Sequence, residues 1–256
     1  MKRDPVIVEV YDSSDDESSS SSSSSVNQTH FILLHSPDLP KKTYTFEISN
    51  DDLKRIKTPT KWFNDTIINA YILSCCDKYI DTICVLHSLF FKQDRGERLV
   101  QLKQTILHPW NIDDVHWVLL MFDRKSGNTY DAYVLDSMET KTTMEWAMSV
   151  NAIAKKIKQR KQMFVYDPNT LRVLQPVIQK DSYNCGPYVC QFVEFCRDWR
   201  NNKTLKYDIN TIQETLGYTK VSLIRNNILL NLISKIKESE QKINQQKINQ
   251  QEKTKK

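Results

Sequence analysis

Cys185 stands in the string Gln179-Lys180-Asp181-Ser182-Tyr183-Asn184-Cys185-Gly186-Pro187, with His116-Trp117 and Leu135-Asp136-Ser137 upstream. A thiol, an imidazole, a carboxylate and a side-chain amide are the groups that nucleophilic cleavage of an acyl bond requires. The imidazole takes the thiol proton, the carboxylate orients the ring, and the amide donates to the developing oxyanion. The set works only if the elements between these residues bring them together.

Those elements can be read from periodicity. Ile67, Ile68, Tyr71, Ile72 and Cys75 recur at helical spacing after Asp65, which can cap the helix. Trp146, Val150, Ile153 and Ile157 predict a second helix, with Lys155, Lys156 and Lys158 on its solvated face. A third begins just after Cys185 and buries Val189, Phe192, Val193 and Cys196, and a fourth runs through Val221, Ile224, Ile228, Leu232 and Ile236. Val115–Phe122, Tyr130–Leu135 and Met163–Tyr166 are rich in aromatic and β-branched residues and read as strands. Helices flanking a small mixed sheet make the fold class α+β.

Ser126-Gly127-Asn128 is a turn signal between the first two strands, which predicts an antiparallel hairpin. His116 and Asp136 are equidistant from Ser126, so the hairpin sets them opposite one another, as a base and its orienting carboxylate must be. Cys185, followed by Gly186-Pro187 and an apolar helical stripe, falls at a helix N-terminus, where Pro187 fits because the first turn needs no amide hydrogen. The partial positive charge there stabilises a thiolate, and an adjacent imidazolium adds to the effect. Gln179 can return alongside the sulfur and, with the Cys185 backbone amide, donate to an oxyanion.

Of the 256 residues 39% are hydrophobic, enough for one domain of roughly 200 residues with a real core, plus tails. Residues 1–26 read as a disordered acidic, serine-rich tail, 40–238 as the globular domain, and 239–256 as a disordered basic tail rich in Gln, Lys and Asn. Residues 1–25 hold two basic and six acidic side chains, and 241–256 hold five Lys and one Glu, so the tails cancel and the formal +5 belongs to the middle. That mild basicity gives no reason to expect nucleic acid as a partner. Met1–Ser13 is too charged for a signal peptide, and no apolar run approaches the roughly 18 residues that span a bilayer. The expectation is a soluble, monomeric protein of the nucleus or cytoplasm, whose six irregularly spaced cysteines are reduced.

His116, Asp136, Gln179 and Cys185 in this chain order, with Trp117 directly after the histidine, resemble the ubiquitin-like-protein proteases, the sentrin/SUMO-specific cysteine peptidases of the adenain-like clan. Trp62-Phe63-Asn64-Asp65 is similar to that family's Trp-Leu-Asn-Asp opening, Ile106-Leu107-His108-Pro109 to the strand before its His-Trp, and Leu135-Asp136-Ser137-Met138 to its Asp-Ser segment. Asn184 stands where the family usually has Asp, and Phe63 where it has Leu. Papain-like enzymes place Cys before His, which speaks against them. The resemblance implies an adenain-like fold. It also implies a thiol protease that cleaves after the Gly-Gly tail of SUMO or a related modifier, in deSUMOylation or precursor processing, without metal or organic cofactor. Trp62 and Trp117 match the family's aromatic residues that clamp this tail; two indoles can bound a slot too narrow for a Cβ.

Val6-Ile7-Val8-Glu9-Val10, followed by acidic residues and serines, resembles a SUMO-interaction motif, in which an added strand pairs with the modifier's sheet edge. The alternative is an apolar patch without a partner. Trp62 read from the residues alone is open between core and substrate contact. Cys75, Cys76, Cys190 and Cys196 fall on apolar helical faces and read as small buried hydrophobes. Cys75, Cys76, Cys84 and His87 match no common zinc spacing, and His108, beside Pro109, reads as structural. Other functional readings are a peptidase for ubiquitin or a Nedd-type modifier, a catalytically silent SUMO-binding adaptor, and an acyltransferase.

Overall fold

Successive residues of one central strand feed two different cores. The computed structural model describes residues 28–35, 43–90, 102–201, 216 and 220–254. Its elements in chain order are β1 (Thr29–His35), β2 (Thr43–Ser49), α1 (Asn50–Lys57), α2 (Asp65–Cys76), β3 (Ile83–Val85), β4 (Thr105–Ile112), β5 (His116–Ser126) and β6 (Thr129–Leu135), then α3 (Thr143–Arg160), β7 (Val165–Tyr166), β8 (Arg172–Leu174), α4 (Cys185–Asn201) and α5 (Val221–Thr254). β1 and β2 form an antiparallel pair of their own. The main sheet runs β3-β4-β5-β6-β7, with β8 also beside β6. β4, β5 and β6 are antiparallel to one another; β3, β7 and β8 join in parallel.

Trp117, Leu119 and Met121 of β5, with Tyr133 and Leu135 of β6, pack into the cluster built by α2, α4 and α5. Val118, Leu120 and Phe122, with Ala132 and Val134, face Trp146, Val150, Ile153, Ala154 and Ile157 of α3. A strand covered on both faces reads as a continuous apolar run rather than an alternation, and His116–Phe122 does so. Each such side chain contributes roughly 1.5–3 kcal/mol by leaving water, which fixes β5 in the middle of the domain. The α+β class and flanking helices expected from sequence are present.

Four expectations change. The cap of α2 is Asn64, whose Oδ1 accepts from the Ile67 amide at 3.0 Å, and Asp65 is the first helical residue. The hairpin register pairs Leu120 with Val134 and Met121 with Tyr133, two residues displaced from the pairing that would set His116 opposite Asp136. The loop is Gly127-Asn128, closed by Ser126 and Thr129 with Gly127 at φ +52°, and an irregularity between Arg124 and Ser126 shifts the pairing by one residue.

The domain also begins before residue 40. Ile32 and Leu34 of β1 are buried in the main core, and the Leu33 amide donates to Ser239 Oγ at 2.9 Å. At the other end, residues 239–254, expected as a disordered tail, continue α5 as helix to Thr254. Extending an existing helix needs no new nucleus, and Gln, Lys and Glu are good helix formers, so the packed half ending near Ser239 carries an exposed extension. The Val6, Ile7, Val8 and Val10 motif lies outside the described residues. No helix among the described residues is long and apolar enough to cross a membrane.

Candidate active site

Cys185 is the first residue of α4, and the Asn184 carbonyl accepts the first helical bond from the Tyr188 amide at 3.2 Å. The sulfur therefore sits where the helix presents free amides and partial positive charge. Gly186 decides how closely this end can be seated, because a Cβ there would lie 2.8 Å from Phe63 Cβ and 3.3 Å from Ile68 Cδ1. Only glycine lets the nucleophile's helix meet the loop that carries Trp62 and Phe63.

His116 opens β5 and is buried, its ring near enough to the Cys185 thiol for that group to act on its charge. Its Nε2 is 2.6 Å from Asp136 Oδ1, which leaves Nδ1 for the sulfur. Asp136 lies one residue past β6 and is nearly inaccessible, yet its carboxylate is fully engaged: Oδ1 also accepts from the Met138 amide at 2.8 Å, and Oδ2 accepts from Thr140 Oγ1 at 2.8 Å. Burial alone would lower the His116 ring below its ordinary 6.5, but the hydrogen bonds and charges of Asp136 and Cys185 outweigh it and push the ring up to about 9. At neutral pH the imidazole is thus held protonated beside the sulfur, ready to deliver that proton to a leaving amine.

Gln179 is anchored by Ser137, the residue after Asp136. The Ser137 hydroxyl donates to Gln179 Oε1 at 2.8 Å, and the Gln179 amide nitrogen donates to the Ser137 carbonyl at 2.8 Å. Gln179 Nε2 donates to the Asp181 carbonyl at 2.6 Å. The Asp181 carboxylate in turn accepts from the Tyr183 and Asn184 amides, both at 2.9 Å, and so shapes the loop entering Cys185. Acid, amide and nucleophile loop are therefore one connected network. Sequence reading missed Met138, Thr140, Ser137 and Asp181 as supports; the run of small polar residues after Leu135 and the Asp three residues before Asn184 were the available signals.

Trp117 faces the opposite core from Val118 and is only 3% exposed, its indole Nε1 donating to the Phe63 carbonyl at 3.1 Å. It ties the Trp62-Phe63 loop to the catalytic strand, while Trp62 itself is half-buried. The remaining candidates separate cleanly. Burial pushes the Cys75 thiol up to about 11 and those of Cys76 and Cys190 well above their ordinary value, so these are packing residues. His108, buried opposite Leu120 in the β4–β5 pair, is pushed down to about 3 by burial and by the neighbouring His87. Among the described residues no three His, Cys, Asp or Glu side chains are placed to hold a metal ion.

The fold and this thiol, imidazole and carboxylate constellation define a cysteine peptidase. Residues 90–206, which carry the thiol, the imidazole and the carboxylate, match the model of the Ulp1 protease family, C-terminal catalytic domain. No curated protein matches it by sequence. Among solved structures it is similar to a de-sumoylating protease (14% identity over 86% of this chain and 97% of the other, TM-score 0.55). It is also similar to the C-terminal Ulp1 protease domain in complex with Smt3, the yeast ortholog of SUMO (19% identity, 81% and 90% covered, TM-score 0.52). A third is the Xanthomonas campestris effector XopD bound to ubiquitin (20% identity, 67% and 91% covered, TM-score 0.50).

Proposed function

We propose that this ubiquitin-like-protein protease acts on SUMO, as an isopeptidase and C-terminal hydrolase that cleaves after the modifier's Gly-Gly tail. The observation that carries the chemistry is the chain of contacts from Cys185 to His116 to Asp136 at the head of α4. Cys185 Sγ attacks the carbonyl carbon of the last glycine, and the tetrahedral oxyanion is held by the Cys185 amide and Gln179 Nε2. The C–N bond breaks as His116 gives its proton to the departing amine, leaving a thioester. His116 then takes a proton from water, whose oxygen displaces the sulfur and releases the modifier's carboxylate.

A Gly-Gly tail as substrate is supported by Trp62 beside the glycine-seated end of α4 and by Trp117 beneath it. Because Trp117 is nearly covered, Trp62 supplies the accessible indole face, and Trp117 acts mainly by holding that loop. A second reading, ubiquitin as the modifier, is favoured by the likeness to XopD bound to ubiquitin. The protein incubated with electrophile probes built on SUMO, on a Nedd-type modifier and on ubiquitin should form a covalent adduct with SUMO. Cys185→Ser should abolish the adduct and Cys190→Ser should keep it. An adduct with ubiquitin alone would reject SUMO as the modifier, and equal labelling of both variants would reject the nucleophile.

A further inference from the structure

Arg225 lies on α5, beyond the stretch matched by the family model, and is 4% exposed. Its Nε donates to Asn184 Oδ1 at 2.8 Å. Nη1 donates to the carbonyls of Arg55 and Ile56, each at 3.2 Å, and of Thr58 at 3.0 Å, while Nη2 donates to the Lys61 carbonyl at 2.6 Å. Arg55 and Ile56 lie in the last turn of α1, where the carbonyls carry the helix's partial negative charge and favour a cation. The guanidinium also lies 4.8 Å from the centre of the Phe63 ring, the ring on which Gly186 is seated. One buried fork thus fastens the end of α1, the loop into Trp62 and the residue before the nucleophile.

Its counter-charge is reached through Asn184. Asn184 Nδ2 donates to Asp181 Oδ2 at 2.8 Å while Oδ1 accepts from Arg225, so the amide stands between an anion and a cation with one group turned to each. The Asn at this position therefore has a physical reason: with Asp181 already supplying the carboxylate, a second one here would set two acceptors against each other.

We propose that Arg225, acting through Asn184 and Asp181, is a positioning residue of the peptidase that holds the Cys185 loop and the Trp62-Phe63 loop as one rigid unit. The proposal rests on Cys185 as the nucleophile. The five-donor planar fork is what does this, so a lysine at the same place, with its compact ammonium, cannot replace it. The network also fixes which side chains can be exchanged. Asp181→Asn alone leaves two donors facing each other somewhere along the chain, and Asn184→Asp alone leaves two acceptors. Asp181→Asn together with Asn184→Asp restores every donor–acceptor pairing, with the carboxylate now against Arg225.

The test is turnover of a modifier probe with a C-terminal leaving group, read as kcat and KM separately, together with the rate at which iodoacetamide alkylates Cys185 in the folded, full-length protein. Each single exchange is expected to lower kcat and the alkylation rate at least tenfold with KM within threefold, and the double exchange to bring both back to within threefold of wild type. Arg225→Met and Arg225→Lys should both show the loss. A double exchange no better than the worse single variant, or an Arg225→Met protein with wild-type kcat, would overturn the proposal. If the Arg225 variants do not fold, the exchange pair decides alone. A wild-type protein that turns over no probe would instead overturn the substrate reading, since alkylation of Cys185 needs no modifier and still reports the loop.

Discussion

His116 Nε2 and Asp136 Oδ1 are 2.6 Å apart although their strands are paired two residues away from the register that would face them. A displacement of two keeps every side chain on its own face, because the period of a strand is two, and it turns a direct cross-strand pair into a diagonal one. Asp136, one step past β6, gives its amide to the Leu174 carbonyl at 3.0 Å, and its carboxylate turns toward the ring while its other lone pairs are filled by Met138 and Thr140.

Asp136→Asn removes the strongest influence raising the His116 ring. Wild-type kcat/KM is expected to fall as pH rises through about 9, where the ring loses the proton it must deliver, and the variant's fall should move down toward 6.5. For stability the sign is that of a raised base: the contribution is complete below about 6.5 and is lost as pH rises through about 9. Urea denaturation of wild type and variant should therefore differ more at pH 6 than at pH 10; an equal difference at both would count against the charge pairing.

Gly186→Ala places a methyl group 2.8 Å from Phe63 Cβ, the atom fixed to that residue's backbone, and 3.3 Å from Phe63 Cγ and Ile68 Cδ1. Expected are a loss of about 1–3 kcal/mol from overpacking and a fall in kcat larger than the rise in KM, since it is the nucleophile that must shift. Thermal unfolding and steady-state kinetics check both, and an unchanged kcat would show that α4 yields without moving the sulfur.

Trp117→Phe keeps an aromatic ring in the core and deletes the donor to the Phe63 carbonyl. Leaving that carbonyl unpartnered should cost about 1–3 kcal/mol, with a weakened KM for the modifier as the Trp62 loop loosens. Intrinsic fluorescence of Trp62 in the variant, compared with wild type, should report the loosening; identical spectra and KM would argue that the bond is incidental.

Removal of residues 243–256 takes away an exposed part of α5 and should leave peptidase activity unchanged and unfolding free energy within about 0.5 kcal/mol of wild type. Helical circular dichroism should nonetheless fall. Removal from Leu229 onward takes Leu232 and Ile236 out of the main core and should prevent folding. A shorter protein with undiminished helicity would mean the extension is not helical in solution.

The chain order of His116, Asp136, Gln179 and Cys185, and the apolar stripes after Asp65, at Trp146 and after Cys185, were legible because they depend on residue type and local period alone. So was the seat of Cys185 at a helix N-terminus, which Gly186-Pro187 and the stripe beyond mark out within one turn. The register of the hairpin was not, since the loop is Gly127-Asn128 rather than a turn centred on Ser126, and the irregularity between Arg124 and Ser126 recovers only one residue of the difference. The N-terminal limit was hidden too: β1 joins the domain through Ile32 and Leu34 in the main core and through Ser239 of α5, two hundred residues on, which accepts from the Leu33 amide.

By itself the sequence determined which side chains are candidates for the chemistry and on what kinds of element they sit, because propensity and periodicity act over a few residues. Only the tertiary structure decided that Asn184 must join Asp181 to Arg225, that Gly186 must admit Phe63, and that Trp117 must hold the loop it lies beneath. Each of these is a contact between segments far apart in the chain, and its hydrogen-bond geometry and packing distance exist only once the segments have met.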